Sequence, residues 1–146
     1  MKSQYIDKIK IYVDGCSKGN PGPSGAGIVI VNNDNILFKE GYFLGDDLTN
    51  QDAEYIAVLR GLEKTPEYCM KTIEIRSDSQ LVIKQLNRQF RMRKKKHQEI
   101  HQQIRNKSQI FEQVIYTQVC ETHKYIKLAD KLAKSAVNKV KKGGDE

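Results

Sequence analysis

The chain has 146 residues, of which 38% are hydrophobic and 29% charged, and its formal net charge is +7. This length and composition suit one folded domain and exclude a disordered chain. No apolar run approaches the roughly 20 residues that a membrane-spanning helix needs, and the first residues lack the apolar segment of a signal peptide. We therefore expect a single domain over residues 1–146, with about 141–146 as a frayed tail, located in the cytoplasm and without a membrane partner.

The cysteines and the basic residues narrow the function classes further. Cys16, Cys69 and Cys120 are odd in number and widely spaced, which argues against a disulfide framework and against a zinc site. Nine Lys and Arg lie between residues 84 and 107, where Glu99 is the only acid. Such a cluster is typical either of contact with a polyanion or of a solvated helix face.

The first third of the chain predicts an antiparallel meander. Alternating or buried apolar patterns indicate strands at residues 8–13, 26–31 and 36–44. Asp14 and Gly15 end the first strand, and a loop rich in Gly, Pro and Ser is predicted at residues 16–25. Short turns between the strands favour antiparallel neighbours.

The rest of the chain alternates helices with strands. Apolar spacing predicts helices at residues 50–63, 79–90, 97–111 and along a stripe from Ala129 to Val140, and strands at residues 72–76 and 113–119. Thr49 or Asn50 suits the N-cap of the first helix. A helical crossover makes the first and fourth strands parallel. We therefore expect an α/β fold with a five-stranded mixed sheet, three antiparallel strands then two parallel, flanked by helices.

Four acids occupy informative positions in this arrangement. Asp14 and Asp78 follow two parallel neighbouring strands, so both carboxylates should emerge at the same edge of the sheet. Glu54 lies early in the first helix, and Asp130 lies beside the apolar stripe of the last one. Each acid alone has an ordinary explanation, as a turn residue, a helix-dipole charge, an N-cap or a surface acid. Together they would repel one another unless a cation binds, and oxygen ligands alone favour Mg²⁺ or Mn²⁺ over zinc.

The segments around these acids form a family pattern. Residues 14–27, 49–55, 77–82 and 128–133 read DGCSKGNPGPSGAG, TNQDAEY, SDSQLV and LADKLA. In order and spacing they resemble the four motifs of type 1 ribonucleases H, and the resemblance covers nearly the whole chain. It implies the ribonuclease H-like fold and an endonuclease that cuts the RNA strand of an RNA–DNA hybrid, leaving 5′-phosphate and 3′-hydroxyl ends.

The resemblance also implies roles for individual residues. Asp14, Glu54, Asp78 and Asp130 would hold two Mg²⁺ ions, with Mn²⁺ as an alternative, about 4 Å apart. Positions that bind the hybrid through 2′-hydroxyls, groove edges or a DNA phosphate correspond to Gly15, Cys16, Ser17, Asn20, Thr49, Asn50, Gln51 and Gln80. His123, seven residues before Asp130, is the candidate for a mobile His that assists product release or protonates the leaving group; the alternative is an exposed loop residue. We expect a monomer that needs no small-molecule cofactor.

Two departures from the pattern concern substrate binding more than the metal site. Ile126 stands where family members often have Asn, and the Trp-bearing basic handle after the second helix is reduced to residues 91–96. Three alternatives stay open: a non-catalytic hybrid-binding module on the same fold, another ribonuclease H-like nuclease such as a resolvase or integrase, and a basic α/β protein that binds nucleic acid through Lys and Arg alone.

Overall fold

A computed structural model describes the backbone of residues 6–144 and the side chains of residues 6–140. The elements in chain order are β1 (Lys8–Ser17), β2 (Gly22–Asn32), β3 (Asn35–Leu48), α1 (Asn50–Lys64), a 3₁₀ turn (Thr65–Glu67), β4 (Thr72–Ser77), α2 (Gln80–Leu86), α3 (Lys95–Ser108), β5 (Gln113–Gln118) and α4 (Lys124–Gly144). The strands form one sheet in the order β3-β2-β1-β4-β5. β1, β2 and β3 pair antiparallel, whereas β4 is parallel to both β1 and β5. The predicted mixed sheet is confirmed.

The loop predicted at residues 16–25 is largely strand, so that prediction was wrong. Cys16 pairs with Gly25 and Ser17 with Ser24, so the β1–β2 ladder continues until only residues 18–21 remain as a turn. Gly and Ser have low strand propensity, but paired backbone hydrogen bonds outweigh a preference that is weak by itself.

The second and third helices also differ from their predicted bounds. α2 ends at Leu86 rather than at residue 90, because Arg88 adopts a left-handed φ of 61° that breaks the helical path. Phe90, the last residue of the predicted helix, lies beyond its observed end and is 46% exposed. α3 covers Lys95–Ser108, so it starts before and ends before the predicted 97–111.

The last helix is longer than its apolar stripe. α4 begins at Lys124, and its backbone is helical through most of the tail expected at residues 141–146, as far as Gly144; Asp145 and Glu146 lie outside the described residues. Within residues 6–144, no helix is long and apolar enough to cross a membrane.

Two hydrophobic layers hold the helices on opposite faces of the sheet. Alternate residues of β1, Ile9, Ile11 and Val13, are buried with the apolar side of α1, whereas Tyr12 is buried on the other face with the start of α4. α4 lies so close to β2 that a Cβ at Gly27 would come within 1.8 Å of the backbone oxygen of Ala129. This close contact fixes where the following residue, Asp130, sits relative to the sheet.

Candidate active site

Two of the four predicted acids reach one sheet edge through strand register. β1 and β4 pair from Lys8 with Thr72 to Tyr12 with Arg76. The same offset, continued by two residues, brings Asp14 level with Asp78, which directly follows the end of β4. The parallel pairing that the sequence predicted therefore places both carboxylates side by side.

Glu54 reaches this edge from α1 because residue 15 has no side chain. A Cβ at Gly15 would lie 2.4 Å from the backbone carbon of Ala53, so any larger residue would push α1 away from β1. With the helix in place, the backbone N–H of Gly15 donates to Glu54 Oε1 at 3.1 Å and the Ser77 hydroxyl donates to Oε2 at 3.3 Å. These two bonds orient the Glu54 carboxylate toward the two aspartates.

The acids share a compact site. Asp14, Glu54 and Asp78 each offer a carboxylate oxygen within 4.8 Å of those of the other two. Asp130 lies outside this tight set, but it lines a cavity of about 390 Å³ together with Asp14 and Asp78. Its Oδ2 pairs with Lys134 Nζ at 2.9 Å, one turn further along α4.

Burial and mutual repulsion raise the pKa values of three carboxyl groups in this site. Burial raises the pKa of Asp14, and the nearby charges of Glu54 and Asp78 raise it further. Burial likewise raises the pKa of Glu54 and of Asp78. Full ionisation of such a set needs a positive charge among the oxygens. A divalent cation that prefers oxygen ligands suits these donors, so the residues present fit the expected Mg²⁺.

Several residues predicted to bind substrate lie on the β1–β2 hairpin and at the start of α1, the two segments that also carry Asp14 and Glu54. Asn50 Oδ1 accepts the backbone N–H of Ser17 at 2.7 Å, and Asn20 Oδ1 accepts the backbone N–H of Asn50 at 2.8 Å. The β1–β2 turn and the start of α1 are thereby joined. Gln51 donates to Gln85 Oε1 at 3.4 Å.

The other residues predicted to bind substrate have distinct settings. The hydroxyl of Thr49, which is predicted to contact a phosphate, accepts the N–H of Asp52 and caps α1. Cys16 is half-buried, and Gln80 is exposed at the first residue of α2.

Comparison with known proteins places this site in a family. Residues 12–136 match the family described as "Reverse transcriptase-like". The structure superposes on the crystal structure of RNase H1 from the archaeon Halobacterium salinarum with a TM-score of 0.84 and 33% identity, over 90% of this chain and 98% of that one. The chain belongs to the ribonuclease H family.

Two further relatives of this ribonuclease H-family chain are informative. The ribonuclease HI of Halobacterium salinarum is 44% identical over 82 residues, which are 54% of this chain and 40% of the relative. The matched segments span about half of the length of the curated relatives. LC11-RNase H1, solved in complex with an RNA/DNA hybrid, has a TM-score of 0.82 and 28% identity over 90% of this chain and 98% of that one.

His123 lies in the predicted loop between β5 and α4, and it faces an aromatic group. Its ring stacks on Tyr12 at 4.8 Å between centroids, and Nδ1 accepts the backbone N–H of Tyr125 at 3.2 Å. Burial lowers the pKa of His123, and the positive charges of Arg76 and Lys124 lower it further. In this position the ring does not line the acidic cavity. From the same loop, Glu121 and Thr122 line it instead.

Several residues of the site were not singled out from the sequence. Glu121, Thr122, Lys127 and Lys134 line the acidic cavity. Lys127 and Lys134 lie three residues before and four residues after Asp130, which is the spacing of one helix face and was a usable signal. Ile126, at the position of the family Asn, is 2% exposed and packs in the apolar layer under α4.

Part of the basic cluster is tied to the start of α1. Lys96 Nζ lies 3.1 Å from Asp52 Oδ2, and the buried His97 Nε2 lies 2.6 Å from Asp52 Oδ1. Lys94 and Lys95 are exposed. The cluster therefore combines a structural contact with side chains that are free to meet a polyanion.

Proposed function

We propose that this chain hydrolyses the RNA strand of RNA–DNA hybrids and leaves 5′-phosphate and 3′-hydroxyl ends. The observation that carries the proposal is the set of carboxylate oxygens of Asp14, Glu54 and Asp78 within 4.8 Å of one another at one sheet edge. The hybrid bound by LC11-RNase H1 supports the choice of substrate. A protein that only bound nucleic acid would gain nothing from repelling carboxylates at its binding surface.

The chain's own residues would divide the work between metal binding and substrate binding. Asp14, Glu54, Asp78 and Asp130 would hold two Mg²⁺ ions, which would supply an activated water and stabilisation of charge on the departing 3′ oxygen. Gly15 and Ser77 hold the Glu54 carboxylate by hydrogen bonds, so this ligand needs little reorganisation when a cation arrives.

Strand selection would come from the surface beside the acids. Gly15, Cys16, Ser17, Asn50 and Gln51 would contact 2′-hydroxyls and minor-groove edges, which distinguish RNA from DNA. Asn20 and Gln80 would contact the groove, and Thr49 a phosphate of the DNA strand. The bonds that join Asn20, Asn50 and Ser17 hold the β1–β2 turn against the start of α1, so less ordering is needed when substrate binds.

One assay tests the proposal. Labelled RNA–DNA hybrid, double-stranded RNA and double-stranded DNA are incubated with Mg²⁺, with Mn²⁺ and with a chelator, and the product ends are mapped. We expect cleavage of the hybrid's RNA strand, intact double-stranded DNA and no cleavage with chelator. Hybrid binding without cleavage would support the non-catalytic module instead, and equal cutting of DNA duplex would support another ribonuclease H-like nuclease. The cytoplasmic location and the monomeric state stay predictions.

A further inference from the structure

A second cavity lies away from the acids, between the end of α2 and the exposed side of α3. Its volume is about 480 Å³, and it shares no lining residue with the acidic cavity. The lining residues that matter for its chemistry are Arg88, Phe90, Arg91, Met92, His101 and Arg105. None of the predicted metal ligands or hybrid-contacting residues lines this cavity, and of the reduced handle only Arg91 and Met92 do.

The cavity is positive and lacks internal neutralisation. Within the described part of the chain, no acid lines it, and Arg88, Arg91 and Arg105 form no ion pair. Burial lowers the pKa of His101, and the charges of Arg105 and Arg88 lower it further, as expected where cations converge. An anion in the cavity would relieve this repulsion.

An aromatic ring completes the cavity wall. Phe90 is 46% exposed, and Lys84 Nζ lies 4.8 Å from its ring centre. The main chain that carries the ring is fixed after α2, because the backbone oxygen of Lys84 accepts the N–H groups of Gln89 and Phe90 at 2.8 and 3.3 Å. An exposed aromatic ring beside cations is the combination that binds unpaired bases and their phosphates.

The rest of the wall is also fixed by hydrogen bonds. The Gln85 side chain donates to the backbone oxygen of Arg91 at 3.3 Å, and the Gln98 side chain donates to that of Met92 at 3.0 Å. The connection from α2 to α3 therefore keeps its shape without a ligand, which lowers the entropy cost of binding one.

Neighbouring cavities give a strand a path in both directions. A cavity of about 380 Å³ adjoins the first and shares Arg88, His101 and Arg105 with it. On the other side, a cavity that shares Gln85 and Arg91 also contains Gln51, one of the predicted hybrid-binding residues. The three cavities thus form a path from the proposed hybrid surface around the side of α3, and among its described lining residues Glu112, in the cavity of about 380 Å³, is the one acid.

We propose that this path binds single-stranded nucleic acid, with a base stacked on Phe90 and backbone phosphates against Arg88, Arg91 and Arg105. An unpaired strand that extends from a bound hybrid is the natural occupant. The proposal goes beyond hydrolysis, because binding here requires neither metal nor cleavage.

Fluorescence anisotropy with a labelled oligothymidylate of about 12 nucleotides, in chelator and at low salt, tests the proposal. Phe90→Ala should weaken binding about 5-fold or more, through lost stacking. Arg105→Gln should flatten the dependence of log K on log salt by about 0.7 for its one phosphate contact. Matched controls on the far edge strand β3, Ile36→Ala and Lys39→Gln, should leave both quantities unchanged. Thermal unfolding checks that all four variants stay folded.

The outcomes separate this proposal from the proposed hydrolysis. No oligonucleotide binding by the wild-type chain, or an effect of Lys39→Gln equal to that of Arg105→Gln, would overturn the single-strand site. Phe90→Ala should still cut a blunt-ended hybrid at the wild-type rate, and should lose any preference for hybrids with an unpaired extension. Intact cleavage without oligonucleotide binding rejects only this site, whereas oligonucleotide binding without any cleavage rejects only the hydrolysis.

Discussion

Each acid of the candidate site depends on a different neighbour for its position. Asp14 and Asp78 follow from strand register, Glu54 depends on the missing side chain of Gly15, and Asp130 depends on how closely α4 meets the sheet. The four carboxylates therefore differ in which structural change would displace them, although Asp14 lies close to all three of the others. Because the carboxylates are positioned by backbone elements, a substitution that changes only the charge of one acid should leave the packing intact.

Asp14→Asn and Asp78→Asn should each reduce cleavage of the hybrid below detection while hybrid binding stays measurable. Each change removes a ligand charge but almost no volume, so the fold should persist. Asp34→Asn is the matched control, since Asp34 sits exposed in the β2–β3 turn with a φ of 64° that Asn tolerates. Single-turnover cleavage and a filter-binding assay measure the two effects. Near wild-type turnover in either active-site variant would contradict the assignment of metal ligands.

His123→Ala should lower kcat by roughly 10- to 100-fold, less than the loss of a fully committed acid or base. In the structure the ring rests on Tyr12, so a role in product release requires it to leave this stack and turn toward the acids. Metal dependence and hybrid affinity should stay nearly unchanged, because the contacts of the His123 ring are with Tyr12 and Tyr125 and not with the predicted metal ligands or hybrid-binding residues. Wild-type kcat from about pH 6 to about pH 9 in this variant would show that His123 is a bystander.

At the scale of elements, the start of α1 is the point where several segments meet. Thr49 and Asp52 form a capping box, in which each side chain bonds the other's backbone N–H. Asp52 also accepts Lys96 and His97 from α3. One carboxylate therefore caps the helix that carries Glu54 and docks the helix that follows the basic segment.

Asp52→Asn should lower the free energy of unfolding by about 2 kcal/mol at neutral pH, with a smaller loss in acid. Burial would raise the pKa of Asp52, but hydrogen bonds from Thr49, His97 and Lys96 outweigh it and lower the pKa to about 2. Because the unfolded-state value is about 3.9, the carboxylate stabilises the fold fully above that pH, and the contribution disappears as the pH falls toward 2. Urea unfolding at about pH 7 and about pH 3 measures this difference. The matched control is Asp46→Asn, because Asp46 is exposed on β3. A loss of equal size at both pH values, or a loss as large in the control, would contradict the prediction.

Replacing Lys94 and Lys95 with Gln should weaken hybrid binding and flatten its salt dependence by up to about 0.9 in slope per lost phosphate contact. Lys96→Gln should differ, because Lys96 pairs with Asp52 and its loss acts partly through stability. Hybrid binding measured across a salt series, together with thermal unfolding, separates the two effects. An unchanged slope of log K against log salt in the double variant would show that this segment is an ordinary solvated surface.

On the scale of the whole molecule, close approach of backbone to backbone sets the site. α4 crosses the antiparallel half of the sheet at positions where a side chain has no room, at Gly25, Gly27 and Gly41. The apolar side of α4 is buried there, while Asp130 stays at the rim beside Asp14. The site is therefore complete only when α4 is seated.

Gly27→Ala should destabilise the fold by several kcal/mol, as overpacking of a rigid contact does, and should reduce cleavage by displacing Asp130. Its Cβ would meet the backbone oxygen of Ala129 at 1.8 Å, and neither strand nor helix can yield easily. Gly45→Ala is the comparison, because its φ of 136° costs strain but its Cβ meets nothing within 4 Å. Chemical denaturation of both variants measures the difference. Equal stability of the two would show that α4 is not seated by this contact.

The sequence by itself determined the order of elements, the mixed sheet, the edge shared by Asp14 and Asp78 and the family, because apolar periodicity and motif spacing are local properties of the chain. It misplaced the β1–β2 turn and the end of α2, where backbone pairing and a left-handed residue at Arg88 override propensity. Tertiary structure alone decided that His123 stacks on Tyr12, that His97 docks on Asp52 and that a basic cavity forms beside Phe90. These contacts join residues far apart in the chain, and only the packing of helices against the sheet brings them together.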